Sequence, residues 1–148
     1  MPNNISPLPR DPWIGRTVDD RYRILEKIGR GGMGVVYKVE HTQMGKVAAL
    51  KLLHSNLARD PDLAKRFHRE ATSISRLNHP NIVQVFDFGR VEQSMYLVME
   101  YLPGEDLAMI LRREGPLPVQ RCIPILTQMC DALSEAHHQN VIHRDLKP

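Results

Sequence analysis

Four features of this 148-residue sequence have residue types and spacings that could do chemistry. The first is Lys51, in the middle of Val47-Ala48-Ala49-Leu50-Lys51-Leu52-Leu53, where every other side chain is apolar. Lysine is rarely buried without a partner, so an ammonium in such a strand requires an anion. The second is Glu70. Positions 63, 67, 70, 74 and 77 carry Leu, Phe, Glu, Ile and Leu, which places this carboxylate on the apolar stripe of a helix. Two misplaced charges of opposite sign predict an ion pair between Lys51 and Glu70. The alternative is a lysine that snorkels at a sheet edge and a glutamate that reaches solvent at the margin of the stripe. Burying such a pair is costly and often no more stabilising than an apolar pair, so a third charged group such as phosphate would account for it.

The third feature is Gly29-Arg30-Gly31-Gly32-Met33-Gly34, which fits G-x-G-x-x-G. In a dinucleotide-binding fold this motif opens a helix, whereas here Val35-Val36-Tyr37-Lys38-Val39 follows with the composition of a strand, so that fold is disfavoured. A glycine-rich connection between antiparallel strands can instead lie over a triphosphate, its amides close to the oxygens because no Cβ intervenes. An ordinary hairpin loop is the alternative. The fourth feature, His143-Arg144-Asp145, reads in isolation as a solvated loop.

The elements that must position these groups follow from local pattern. Tyr22, Ile24 and Ile28 before the glycines, and residues 35–39 after them, predict a hairpin, with residues 47–53 as a third strand. Asp60 can cap a helix whose first position is Pro61, and His79-Pro80 stops it. Residues 82–88 and 95–102 predict two further strands, giving the order βββαββ. The character then turns helical. Residues 106–113 form a short helix closed by Gly115-Pro116, and residues 119–139 a long one of about 30 Å with Asn140 as a left-handed cap. Val141-Ile142 predicts a short strand, and prolines at 2, 7, 9 and 12 predict that residues 1–20 are a mobile tail.

Composition narrows the class. Apolar residues make up 42% of the chain, enough for a core, and the net charge of +3 is carried by scattered basic residues rather than a stripe, which argues against nucleic acid as a partner. No apolar run approaches the roughly 18 residues of a spanning helix, and the N-terminus lacks the pattern of a signal peptide, so a cytoplasmic protein with no membrane segment is expected. Cys122 and Cys130 lie in one helix and predict no disulfide, and the seven histidines show no metal-ligand spacing.

The order of these parts resembles that of serine/threonine protein kinases, in particular the bacterial ones with an N-terminal catalytic domain, over residues 21–148. Ile28-Gly29-Arg30-Gly31-Gly32-Met33-Gly34-Val35-Val36-Tyr37 is similar to the family's glycine-rich loop, Ala49-Leu50-Lys51 to its third-strand lysine, and Glu70 to its helix glutamate. Val98-Met99-Glu100-Tyr101-Leu102 looks like the hinge between lobes, with Met99 as gatekeeper, and His143-Arg144-Asp145-Leu146-Lys147 like the start of the catalytic loop.

The resemblance implies an α+β fold. A protein-kinase-like N-lobe, a five-stranded antiparallel sheet plus one helix, would occupy residues 21–102 with the hinge, and the first helices of an incomplete helical C-lobe residues 103–148. It also implies ATP and Mg²⁺ as cofactors and a protein bearing serine or threonine as substrate. Backbone amides of the glycine-rich loop would cover the phosphates, and Lys51, oriented by Glu70, would hold the α- and β-phosphates. Ile28, Val36 and Ala49 would sandwich the adenine, with backbone groups of Glu100 and Leu102 at its edge. Asp145 would accept the proton of the substrate hydroxyl, Lys147 marks serine/threonine specificity, and Arg144 implies control by phosphorylation of an activation loop.

The family's catalytic-loop asparagine would fall at position 150, and neither Asp-Phe-Gly nor Ala-Pro-Glu occurs, so the Mg²⁺ ligands would lie beyond Pro148. The expectation is an N-terminal fragment of a serine/threonine kinase that is inactive as the isolated 148 residues, because transfer depends on neutralisation of charge by metal. The alternative is a non-catalytic nucleotide- or kinase-binding half-domain. Its mark would be loss of Lys51, Glu70 or Asp145, and all three are present. An apolar face of Ile123, Leu126, Met129, Cys130 and Leu133 on the long helix predicts self-association.

Overall fold

The structure is a computed structural model that describes residues 11–54, 60–144, 146 and 147. Its elements are β1 (Thr17–Val18), β2 (Tyr22–Gly31), β3 (Gly34–His41), β4 (Val47–Leu53), α1 (Pro61–Ser75), β5 (Val85–Val91), β6 (Ser94–Glu100), α2 (Leu107–Glu114) and α3 (Val119–His138). The strands form one antiparallel sheet in the order β1-β2-β3-β4-β6-β5. The α+β class and the five expected strands are present, and the sheet has a sixth.

That sixth strand corrects the expectation of a mobile tail over residues 1–20. Thr17 and Val18 pair with Arg23 and Tyr22 across a turn in which Asp19 and Asp20 both adopt positive φ, a conformation that short polar side chains tolerate. Val18 is fully buried and Trp13 packs against the core, so apolar burial holds residues 11–20 on the sheet. Residues 1–10 lie outside the described residues. Val141 and Ile142, expected as a strand, pair with no strand among the described residues.

The sheet curls until its two ends meet. The Tyr96 hydroxyl on β6 donates to Asp19 at 2.9 Å, and the Tyr22 hydroxyl on β2 donates to Asp87 on β5 at 2.7 Å. Arg21 pairs with both carboxylates. Inside the curl lies a core that includes Tyr22, Ile24, Tyr37, Val39, Leu50, Tyr96 and Val98. On the other face, Leu53 and Met95 pack against Ala64 and Phe67 of α1.

The helices begin and end where local chemistry dictates. The Asp60 carboxylate accepts from the N–H groups of Asp62 and Leu63 at 2.9 and 3.4 Å, with Pro61 in the first turn. We expect Asp60→Ala to cost about 1 kcal/mol, read as a lower thermal midpoint. Just past α3, Asn140 at φ +59° lets Val141 N–H reach the Ala136 carbonyl at 2.8 Å. No described helix is long and apolar enough to cross a membrane.

Candidate nucleotide-binding site

The glycine-rich segment is the far end of the β2–β3 hairpin. Gly31 pairs with Gly34, Arg30 with Val35 and Gly29 with Val36, while the register slips between Lys27 and Gly29, so Ile28 bulges out of the ladder. From there the register runs across the sheet: Val36 opposite Lys51, Lys51 opposite Leu97, and Ala49 opposite Met99. Because side chains alternate, these residues share the face turned away from the curled core. α1 covers the Leu53 and Met95 end of that face and leaves Lys51 half-buried at its border.

The glycines differ in what requires them. A Cβ on Gly34 would stand 2.2 Å from the Leu52 carbonyl oxygen, so the chain's own backbone demands glycine there. Gly31 and Gly32 have open space around the same position and no positive φ. Nothing among the described residues calls for glycine at these two. The turn itself is tethered, since His54 N–H donates to the Met33 carbonyl at 3.2 Å, and Arg30 and Met33 are exposed.

At the other end of this face lies the segment expected to be the hinge. Glu100 is bracketed by Gln84: its N–H donates to the Gln84 carbonyl at 2.9 Å, and its carboxylate accepts from Gln84 N–H at 2.8 Å. Sixteen residues separate the two, and no local sequence signal announced this bracket. Leu102 is exposed just past β6, and its N–H has no partner among the described residues.

Glu70 is a correction. The expected ion pair with Lys51 is absent among the described residues, and Glu70 is exposed. α1 seats through Phe67, edge-on to Phe88 at 6.4 Å, and through buried Ala71. A residue adjacent to Ala71 is turned about 100° away from that seam. Glu70 therefore lines a cavity of about 450 Å³ between α1 and residues 140–144, together with Arg69, Ser73 and Arg144. The alternative reading, a glutamate reaching solvent at the margin of the stripe, is the one that holds. Lys51 and Glu70 thus stand unpaired among the described residues, an open arrangement. Arg144 adopts φ +63° and is exposed, Lys147 is exposed, and Asp145 lies outside the described residues.

A curled sheet carrying a glycine-rich turn, a strand lysine and a hinge on one face, followed by helices, defines the smaller lobe of a two-lobed kinase and the opening of the larger. The chain belongs to the protein kinase family, whose domain model matches residues 22–148. It is 46% identical over 139 residues to serine/threonine-protein kinase pkn3 of Myxococcus xanthus, covering 93% of this chain and 25% of that protein. Against the probable serine/threonine-protein kinase PknB of Lactococcus lactis it is 43% identical, covering 91% of this chain and 22% of that one. The crystal structure of the Mycobacterium tuberculosis PknI kinase domain matches with a TM-score of 0.80 and 34% identity, over 90% of this chain and 54% of that one. The chain thus spans about a quarter of the length of the curated relatives it matches and about half of the solved kinase domain.

Proposed function

We propose that this chain carries the ATP-binding half of a serine/threonine protein kinase that moves the γ-phosphate of ATP to a serine or threonine hydroxyl of a protein. The observation that carries the reading is Lys51: half-buried, without an ion pair among the described residues, beside Val36 and Ala49 and near a turn whose Gly31 and Gly32 the chain itself does not require. An ammonium so placed supplies the positive charge that α- and β-phosphates need, and amides of residues 29–35 approach the oxygens without a Cβ between. Ile28, Val36, Ala49 and Met99 would enclose the base, with the carbonyl of Glu100 and the free N–H of Leu102 at its edge. Asp145 would take the proton from the substrate hydroxyl, and Lys147 would stand beside it.

Mg²⁺, when bound, neutralises charge on the transferring group. Among the described residues no group of three His, Cys, Asp or Glu could hold a metal ion. In this reading residues 21–102 are the N-lobe with its hinge and residues 103–148 the start of the C-lobe. Free Cys122 and Cys130 suit a reducing, cytoplasmic setting.

Calorimetric titration of the 148-residue chain with ATP and with adenosine tests the assignment. ATP should bind more tightly than adenosine, and Lys51→Met should weaken ATP about tenfold while leaving adenosine unchanged. The same substitution should move stability by less than about 0.5 kcal/mol, because it breaks no ion pair. Absence of ATP binding, or equal ATP affinity in the variant, would overturn the reading. The open arrangement of Lys51 and Glu70 favours a second reading, a non-catalytic nucleotide-binding half-domain; ATP binding without transfer of labelled phosphate by the full-length protein would select it.

The apolar face of α3 supports self-association. Val119, Ile123 and Leu126 are each more than half exposed on it. Sedimentation should show dimers or larger species at rising concentration, and Ile123→Glu with Leu126→Lys should return a monomer. A monodisperse wild-type monomer would refute this.

A further inference from the structure

Residues 11–16 precede the family match, which begins at residue 22, yet they are fastened to the sheet along their length. Gly15 N–H donates to the Ile24 carbonyl and Ile24 N–H to the Arg16 carbonyl, each at 2.8 Å. Trp13 packs on the core, and the Arg16 guanidinium lies 4.4 Å over its ring while pairing with Glu92 in the β5–β6 turn. Asp11 does something more specific. Its carboxylate accepts the Tyr37 hydroxyl, with 3.1 Å to each oxygen, and lies 4.0 Å from the Lys27 ammonium.

Lys27 and Tyr37 are register partners on β2 and β3, the last pair before Ile28 bulges and the glycines begin. A single carboxylate thus bridges both strands at the base of the glycine-rich end. That base needs support, because β1 pairs with β2 only at Tyr22 and Arg23. Beyond Ile24, β2 has β3 as its one ladder neighbour among the described residues, so its glycine-rich end is an edge held from one side, whereas β3 is held by β4 as far as Gly34. Tyr37 is 2% exposed, so without Asp11 its hydroxyl would be a buried donor with nothing to receive it.

We infer that residues 11–16 are a strap that sets the pitch of the glycine-rich hairpin, with Asp11 as its positioning residue. Its consequence for nucleotide rests on the function proposed above; the mechanical claim does not. Pulling Asp11 away lets the outer strand of the hairpin shift against β3, which displaces the amides of Gly29–Gly31 and the turn they lead into while leaving the curled core intact.

Hydrogen exchange on the 148-residue chain reads this directly. In Asp11→Ala and in Tyr37→Phe, amides of residues 29–36 should exchange about fivefold faster, the factor set by one lost hydrogen bond, while those of Leu50 and Val98 are unchanged. Combining the two substitutions should add little, because both remove the same bond. Trp13→Ala should release the strap altogether, and the two gentler variants decide the matter if it fails to fold. Unchanged exchange at residues 29–36, or equal acceleration across the whole sheet, would overturn the inference. ATP titration of the same proteins is a separate readout: affinity should fall about fivefold in Asp11→Ala. A wild-type chain that binds no ATP would defeat the proposed function while the exchange data still judge the strap.

Discussion

Gly34→Ala should destabilise the chain by about 2–3 kcal/mol, a large share of the 5–15 kcal/mol that ordinarily separates folded from unfolded domains. The added Cβ would meet the Leu52 carbonyl oxygen at 2.2 Å, the Leu52 carbonyl carbon at 3.0 Å and the Leu53 Cα at 3.1 Å. All three are backbone atoms of β4, so no side chain can rotate away, and β3 must separate from β4 beside the pair Gly34 and Leu53. Thermal unfolding should register a midpoint lower by roughly 10 °C. Gly31→Ala is the informative contrast. With open space at that position and no positive φ, it should alter stability by less than about 0.5 kcal/mol and yet, on the function proposed above, weaken ATP binding, since the methyl group would stand where the phosphates are proposed to approach. A stable Gly34→Ala, or a Gly31→Ala with unimpaired ATP affinity, would contradict the division drawn between these glycines.

Alkali should unfold the chain through its buried tyrosines. Tyr22, Tyr37 and Tyr96 are 6%, 2% and 1% exposed, and their hydroxyls donate to Asp87, Asp11 and Asp19. Burial first, and the neighbouring carboxylate second, push Tyr22 and Tyr37 up to about 12 and Tyr96 upward in the same sense. In the unfolded chain a tyrosine ionises near 10. A folded-state value above the unfolded one gives stability that is complete below about pH 10 and is lost as pH rises through about 12. Ultraviolet absorbance of phenolate and far-ultraviolet circular dichroism, followed together, should therefore change in one step. Ionisation of these three tyrosines near pH 10 with the fold intact would count against the hydroxyl–carboxylate contacts. Asp19 acts at the other end of the scale: the Arg21 hydrogen bond, then that of Tyr96, hold its carboxyl below the usual value of 3.8, so its contribution is present above that pH and disappears in acid.

Features governed by neighbours in sequence were legible there. The Asp60 cap, the Asn140 turn, the glycine hairpin and the lysine strand all follow from residues a few positions apart. Glu70 was not, because the direction of a side chain at the margin of an apolar stripe depends on how the helix seats. Ala71, too small to mark a stripe, proved to be part of the seam. The two residues of β1 were too few to alternate, and their partner strand comes after them. A lone tryptophan among prolines and polar residues was the available sign that residues 11–20 are not a tail, since Trp13 has little reason to stand in water. Val141-Ile142 has strand composition without a described partner, and composition alone cannot supply one.

The order of strands in the sheet also bears on how the chain is made. β4 lies between β3 and β6, and residues 54–93 must be synthesised before β6 can arrive. At roughly 5–20 residues per second, the outer edge of β4 stands bare on a nascent chain for about 2–8 s. A seven-residue strand with six apolar members is an open template for pairing with another copy. The one charge in it, Lys51, disfavours such a pairing throughout the wait, so the residue that would later face phosphate first serves as the strand's guard against aggregation.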